Sequence, residues 1–221
     1  MAKPRTTYVC QNCDYSSPRY LGRCPNCGEW NTMVEEVVTP AAAKPQSTRT
    51  TASGERSHPQ LMSEIKHSTE SRTKTQMEEL NRVLGGGIVP GSLILIGGDP
   101  GIGKSTLLLQ VSGQLSQTGG KVLYVSGEES ASQIKMRADR LVVNSDHLYL
   151  YPETDMASIR ANIEQMKPDY VVIDSVQTMQ APGIESAIGS VSQIRAVTGE
   201  LMQIAKTNGI TIFVVGHVTK G

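Results

Sequence analysis

The sequence contains few aromatic side chains and has no long apolar run. Its 221 residues include one Phe, one Trp and seven Tyr, so a core must be built mainly from Val, Ile, Leu, Ala and Met. No apolar stretch reaches the roughly 18 residues that a membrane-spanning helix needs. The opening stretch MAKPRTTYVC also lacks the apolar segment of a secretory signal. These absences predict a cytoplasmic protein that does not enter a membrane.

Excess charge of either sign is also missing, because the formal net charge is zero. The balance hides a mild asymmetry. Residues 1–75 hold ten Lys and Arg against seven Asp and Glu, whereas residues 76–221 hold eleven against fourteen. Neither part is a polycation, so charge alone does not indicate a nucleic-acid-binding protein.

Cysteine is rare, and all four cysteines lie between residues 10 and 27. Cys10 and Cys13 form one C-x-x-C pair, and Cys24 and Cys27 form a second pair after ten intervening residues. Two such pairs are typical of a tetrahedral zinc site, and four thiolate ligands leave no open position for catalysis. We therefore predict a structural Zn²⁺ site rather than free thiols or two disulfides. Arg19, Tyr20 and Arg23 lie between the pairs and could contact nucleic acid, a protein or only solvent.

Three zones are predicted along the chain: a four-cysteine module at 1–36, a linker rich in Pro, Ala, Ser and Thr at 37–75, and a globular core at 76–221. Within the core, five nearly continuous apolar runs predict strands buried on both faces. They span 92–97, 121–127, 147–151, 170–174 and 210–216. Amphipathic runs between them have helical spacing. This alternation predicts an α/β fold with a parallel sheet and helices on both faces.

A phosphate-binding loop is predicted between the first strand and the helix that follows it. The stretch GDPGIGKS fits G-x-x-x-x-G-K-[ST] at every fixed position. Its glycines allow backbone N–H groups to turn toward an anion, and the helix adds its positive end. Lys104 is expected to reach the β- and γ-phosphates of ATP, and Ser105 to bind Mg²⁺. The predicted nucleotide-binding residues are Gly98, Asp99, Pro100, Gly101, Ile102, Gly103, Lys104, Ser105 and Thr106.

Acidic residues at the ends of two other strands complete the predicted catalytic set. Asp174 ends the run YVVID and is the candidate for the Mg²⁺ shell, although an Asp can simply end a strand. Glu128 is the first choice for the base that activates water, with Glu129 as the alternative. Both acids would also suit a helix N-terminus without any catalytic role. His217 ends the last strand and could sense the γ-phosphate or be an ordinary strand-end residue.

Taken together, these stretches resemble the bacterial RadA (Sms) family of RecA-like ATPases. The resemblance is carried by YVCQNCDYSSPRYLGRCPNCGEWNTMVEE, LNRVLGGGIVPGSLILIGGDPGIGKSTLLLQ, VLYVSGEES and VVIDSVQT, and it covers nearly all of the chain except the linker. It implies a RecA-type fold, hexameric rings whose sites lie between subunits, and ATP-driven branch migration on single-stranded or branched DNA together with RecA recombinase. The matching motifs imply that the loop at 98–105 binds the nucleotide and that Asp174 serves the Mg²⁺. They also imply that Glu128 is the base and that the four cysteines bind zinc.

The sequence departs from the family at its end, which reads GHVTKG where the family has GHVTKEG. The family continues for about as many residues again, with a KNRFG motif and a Lon-protease-like domain. We therefore expect a truncated chain whose last strand has an exposed apolar edge. Family members contact DNA through loops, one of which would be residues 176–190 here. The open alternatives are an ATP- and zinc-binding interaction module with little hydrolysis and a KaiC-like regulatory ATPase.

Overall fold

The computed structural model describes residues 5–13, 15–38, 61–64 and 72–217. Most of the linker predicted at 37–75 lies outside these residues, and its boundaries stay a prediction. Residues 218–221, in the GHVTKG stretch, also lie outside them. Met62–Glu64 form one 3-10 turn, and Thr73 pairs with Ile88 in an antiparallel bridge. No helix in the described residues has the length and apolar character needed to cross a membrane.

The cysteine module contains a small antiparallel sheet of three strands. These are β1 (Arg5–Cys10), β2 (Ser16–Ser17) and β3 (Met33–Val38), in the order β2-β1-β3. Cys10, Cys24 and Met33 form its buried centre. Because few apolar side chains are buried among the described residues of this sheet and its turns, a module of this size depends on a metal or another crosslink for stability.

The second part is an α/β unit with five parallel strands, as predicted. The strands are β4 (Leu93–Gly98), β5 (Val122–Ser126), β6 (Leu148–Pro152), β7 (Tyr170–Asp174) and β8 (Thr211–His217). All strand pairs in the order β4-β8-β7-β5-β6 are parallel. The helices are α1 (Glu78–Val83), α2 (Lys104–Gln117), α3 (Ala131–Arg140), α4 (Met156–Met166) and α5 (Val191–Asn208).

Alternate residues of the central strands pack into two separate cores, one on each face of the sheet. Leu123 and Val125 pack with α4 and α5, whereas Val122 and Tyr124 pack with α2 and α3. Residues of β5, β7 and β8 are therefore buried on both faces of the sheet, which accounts for their unbroken apolar runs. Ser130, Asp155 and Ser190 cap α3, α4 and α5 by accepting backbone N–H bonds.

The expectation of an exposed edge at the last strand was wrong. β8 lies between β4 and β7, and its residues from Thr211 to Gly216 are buried. In the described part of the chain, the sheet edges are β4 and β6. Strand order in a parallel sheet does not follow sequence order, because each crossover can place the next strand on either side of those already formed.

Candidate active site

The carboxyl ends of four adjacent strands meet at one edge of the sheet. Gly98 of β4 is in register with His217 of β8, and Ser126 of β5 is in register with Asp174 of β7. Ligands of open parallel sheets bind outside the carboxyl ends of the strands. The strand order thus places the loop after β4, the acids after β5, and the last residues of β7 and β8 at one edge of the sheet.

The loop after β4 turns sharply into α2. Gly101 and Gly103 have φ angles of 82° and 95°, in the left-handed region that favours glycine. Lys104 opens the helix and is buried, and its Nζ donates to the carbonyl oxygens of Gly98 at 2.9 Å and Asp99 at 2.8 Å. The ammonium group is therefore held over the loop by backbone acceptors. Ser105 stands beside it in the first turn, so the loop offers N–H groups, a cation and a hydroxyl suited to a polyphosphate.

Asp174 is a buried carboxylate at the end of β7, with 4% of its surface exposed. Its Oδ2 accepts a hydrogen bond of 2.6 Å from the hydroxyl of Tyr124, which lies 3.5 Å from the carbonyl oxygen of Ser105. Burial raises the pKa of Tyr124, and the nearby Asp174 raises it further. Tyr124 therefore keeps its proton and remains a hydrogen-bond donor. Its hydroxyl lies between the carboxylate of Asp174 and the first turn of α2. A carboxylate and a serine hydroxyl are oxygen donors of the kind that Mg²⁺ prefers.

Glu128 lies at the edge of the sheet where the strands end, close to Ser175 and His217. Its Oε1 accepts a 2.7 Å bond from the Ser175 hydroxyl and lies 3.3 Å from Nε2 of His217. The bond from Ser175 lowers the pKa of Glu128 most, and His217 and Lys104 lower it further. A carboxylate that is ionised, half exposed and placed near the loop lysine can accept a proton from water.

Glu129, the alternative base, turns to a different partner. Its Oε2 lies 2.7 Å from Nη2 of Arg137 on α3. The two neighbouring acids thus contact different residues. Glu129 pairs with Arg137, whereas Glu128 contacts the predicted site residue His217. His217 is also held through its backbone, since Gln177 donates to its carbonyl oxygen at 3.2 Å.

The sequence reasoning did not identify Tyr124, Ser175 or Gln177 as site residues. A signal existed for Tyr124, because a tyrosine inside a buried aliphatic strand needs a partner for its hydroxyl. Ser175 and Gln177 follow directly after the Asp174 strand. Their partners lie on other strands, so the contacts depend on the strand order.

Residues 176–190, considered above as a DNA-contacting loop, are organised by one buried glutamine of α5. Gln193 donates to the carbonyl oxygens of Ile184 and Ser186 and accepts from the N–H of Ala181. Its side chain is fully buried. The loop therefore has a defined backbone path from the end of β7 to α5, with Ile188 exposed on it.

The four cysteines converge as their spacing predicts. Their Sγ atoms all lie within 4.8 Å of one another, with Cys10 to Cys27 at 3.6 Å and Cys13 to Cys24 at 3.5 Å. Zn–S bonds of about 2.3 Å in a tetrahedron place sulfurs about 3.8 Å apart, so the cluster fits zinc. These cysteines are free thiols rather than disulfides, and the chain thus carries a four-cysteine zinc site.

Comparison with known proteins agrees with both parts. Residues 59–221 match a family model described as AAA domain, and residues 8–35 match one described as Rubredoxin metal binding domain. DNA repair protein RadA of Streptococcus pyogenes serotype M6 is 58% identical over 220 residues, covering 100% of this chain and 48% of the relative. The proteins of the same name from Bacillus subtilis and Listeria monocytogenes are 56% and 54% identical, covering 100% and 99% of this chain and 48% and 47% of theirs.

The chain thus spans about half the length of the curated relatives it matches. The AAA domain match covers more than half of the chain, and the resemblance to RadA extends along its whole length. The chain therefore belongs to the AAA domain family of P-loop ATPases and is similar throughout to DNA repair protein RadA.

Proposed function

We propose that this chain is the ATP-hydrolysing part of a DNA-dependent motor that processes recombination intermediates. The observation that carries the proposal is the meeting of Lys104, Asp174 and Glu128 at one edge of the sheet. Each comes from a different strand end, and together they supply a phosphate-binding cation, an acid for Mg²⁺ and a base for water. A fold that needed only to bind a nucleotide would not require the last of these.

The roles follow from the chemistry of each group. Residues 98–106 would hold the phosphates of ATP through backbone N–H groups and Lys104. Ser105 and Asp174 would hold Mg²⁺, which when bound neutralises charge on the phosphate oxygens. Glu128, kept in place by Ser175 and His217, would orient and deprotonate the attacking water. His217 would link the state of the γ-phosphate to β8 through the same carboxylate.

DNA as the partner rests on the similarity to proteins named for DNA repair. We propose that the chain acts in the cytoplasm on single-stranded or branched DNA, with RecA recombinase, to promote branch migration as a hexameric ring. The loop at 176–190 is the proposed DNA contact, because it continues directly from Asp174 and would carry a change at the nucleotide site. The proposed division is a zinc module at 1–36, a linker at 37–75 and an ATPase core at 76–221.

The test is steady-state ATP hydrolysis by the purified chain, with and without single-stranded DNA, beside Lys104→Ala. Hydrolysis that DNA stimulates and that Lys104→Ala abolishes is the expected result. Hydrolysis that DNA does not change would favour a regulatory ATPase of the KaiC kind. ATP binding without turnover would favour the nucleotide- and zinc-binding interaction module. Turnover undiminished in Lys104→Ala would overturn the assignment of the loop.

A further inference from the structure

Tyr124 is a completely buried polar side chain beside the candidate active site. Its exposed fraction is 0%, and it lies in β5 between Leu123 and Val125. Its ring packs in the core formed with α2 and α3. Since the interior around it is aliphatic, its hydroxyl needs a partner from another element.

Strand register explains how that partner is reached. Tyr124 is paired with Val172 of β7, and Asp174 lies two residues further along the same strand. Residues two apart on a strand share a face, and a diagonal neighbour on the next strand is within reach of an aromatic side chain. The hydroxyl therefore meets Oδ2 of Asp174 at 2.6 Å. This bond is intrinsic to the sheet and does not depend on a flexible loop.

We propose that Tyr124 is a positioning residue for metal binding, which fixes the rotation of the Asp174 carboxylate so that Oδ1 faces the Mg²⁺ of bound nucleotide. The carboxylate torsion of an Asp side chain is broad and has no strong intrinsic preference. A donor on one oxygen selects one orientation, as partners of metal-binding carboxylates commonly do. The inference rests on the proposed function, in which Asp174 serves the metal.

The Tyr124 hydroxyl also lies near the start of α2. The same hydroxyl lies 3.5 Å from the carbonyl oxygen of Ser105, at the outer limit of hydrogen-bond distance. Ser105 supplies the other proposed metal ligand. Since the single hydroxyl proton of Tyr124 is donated to Asp174 at 2.6 Å, we expect Tyr124 to act on the metal site through that carboxylate rather than through Ser105.

The test measures metal affinity directly. Mn²⁺ is titrated into the zinc-loaded full chain with ADP, and free Mn²⁺ is followed by electron paramagnetic resonance. Tyr124→Phe is expected to weaken Mn²⁺ binding to the nucleotide complex by about 10–100-fold, with ADP binding in the absence of divalent metal unchanged. The matched control is Tyr170→Phe, which removes a hydroxyl bonded to Thr73 beside the same core and should leave Mn²⁺ binding as in the parent.

Asp174→Asn separates this inference from the proposed function. If Asp174→Asn leaves Mn²⁺ affinity unchanged, the metal role of Asp174 fails, and the role of Tyr124 fails with it. If Asp174→Asn weakens binding but Tyr124→Phe does not, the positioning role alone is overturned. The double variant should be no weaker than Asp174→Asn, because Tyr124 is proposed to act only through that carboxylate.

Folding is checked by circular dichroism, since a purely structural tyrosine would lower the melting temperature and leave the metal affinity of the folded chain intact. If Tyr124→Phe does not fold, Tyr124→Met fills the space without a hydroxyl, and the same titration is made. Failure of both variants to fold would overturn the proposal, because the hydroxyl would then be required for the fold itself.

Discussion

Glu128 and Ser175 are 47 residues apart in the sequence, yet the hydroxyl of Ser175 donates a 2.7 Å hydrogen bond to Oε1 of Glu128. Ser175 is completely buried, so it fixes the Glu128 carboxylate from the interior side. His217 approaches the same oxygen from β8. The proposed base is therefore held by one residue that follows β7 and one that ends β8, whereas Glu129 is held by Arg137 on α3.

Replacing Glu128 by Gln should stop hydrolysis and leave ATP binding intact, because the amide keeps the shape of the side chain but cannot accept a proton. A loss of about 10²–10⁴-fold in kcat is expected, measured beside ATP affinity. Glu129→Gln is the matched control and should turn over at nearly the parent rate. The reverse pattern would make Glu129 the base.

Removing the Ser175 hydroxyl should shift the acid side of the pH profile of kcat. The pKa of Glu128 lies below its usual range chiefly because Ser175 donates to it, so Ser175→Ala should raise that pKa. The base must be ionised to act, and with a higher pKa it is protonated at a higher pH, so activity is lost earlier on acidification. Ser112→Ala, which removes a buried hydroxyl bonded within α2, is the control. An unshifted acid limb in Ser175→Ala would argue against Glu128 as the group that titrates.

Lys104→Ala should abolish turnover, with a loss of about 10²–10³-fold or more, while the chain stays folded. The backbone of the loop is set by Gly101 and Gly103, and neither depends on the lysine side chain. Lys135→Ala removes an exposed lysine that pairs with Asp139 and serves as the control. A lowered melting temperature in Lys104→Ala alone would mean that the ammonium group stabilises the loop rather than serving the nucleotide.

Gly127→Ala should disturb the candidate active site because the added methyl group would clash with a neighbouring side chain. A Cβ at this position would stand 2.7 Å from Cβ of Thr178, whose hydroxyl is already bonded to the carbonyl oxygen of Ser175. We expect a destabilisation of about 1–3 kcal/mol, read from urea unfolding, together with slower hydrolysis because Glu128 is the next residue. Gly199→Ala in α5, where an added Cβ meets nothing within 4 Å, should stabilise by roughly 0.5–1 kcal/mol. Equal effects of the two substitutions would contradict this account.

Loss of zinc should affect the cysteine module alone. Cys24→Ser, or a strong chelator, is expected to remove the bound metal and the β1–β3 sheet, since the side chains that the structure describes there bury little else. Metal content and calorimetry would follow this, with the transition of the five-stranded part nearly unchanged. A collapse of both transitions together would show that the two parts depend on each other.

Much of the architecture follows from local pattern. The run predicted at 170–174 is β7, and the other four strands lie within a residue of their predicted positions. Burial on both faces produces that signal in β5, β7 and β8, whereas the edge strands β4 and β6 are apolar although Leu95 and Tyr149 are exposed. The spacing of the cysteines likewise predicts their cluster. Each of these features depends on residues near one another in the sequence.

The contacts that define the candidate site could not be predicted in the same way. The approach of His217 to Glu128 and the bond between Tyr124 and Asp174 require the order β4-β8-β7-β5-β6. The apolar runs carry no information about which strands are neighbours. The expectation of an exposed edge at the last strand failed for the same reason, because β8 is an interior strand.

The interior position of β8 also determines when the proposed nucleotide site can form during synthesis. β4 pairs only with β8 within the described sheet. It can therefore join the sheet only after the residues of β8, near 212, have left the ribosome. Until then, β5, β6 and β7 can associate, but the phosphate loop has no strand to anchor it. Long-range parallel pairing of this kind slows folding. The nascent chain should therefore acquire its affinity for nucleotide only after β8 has been made and has entered between β4 and β7.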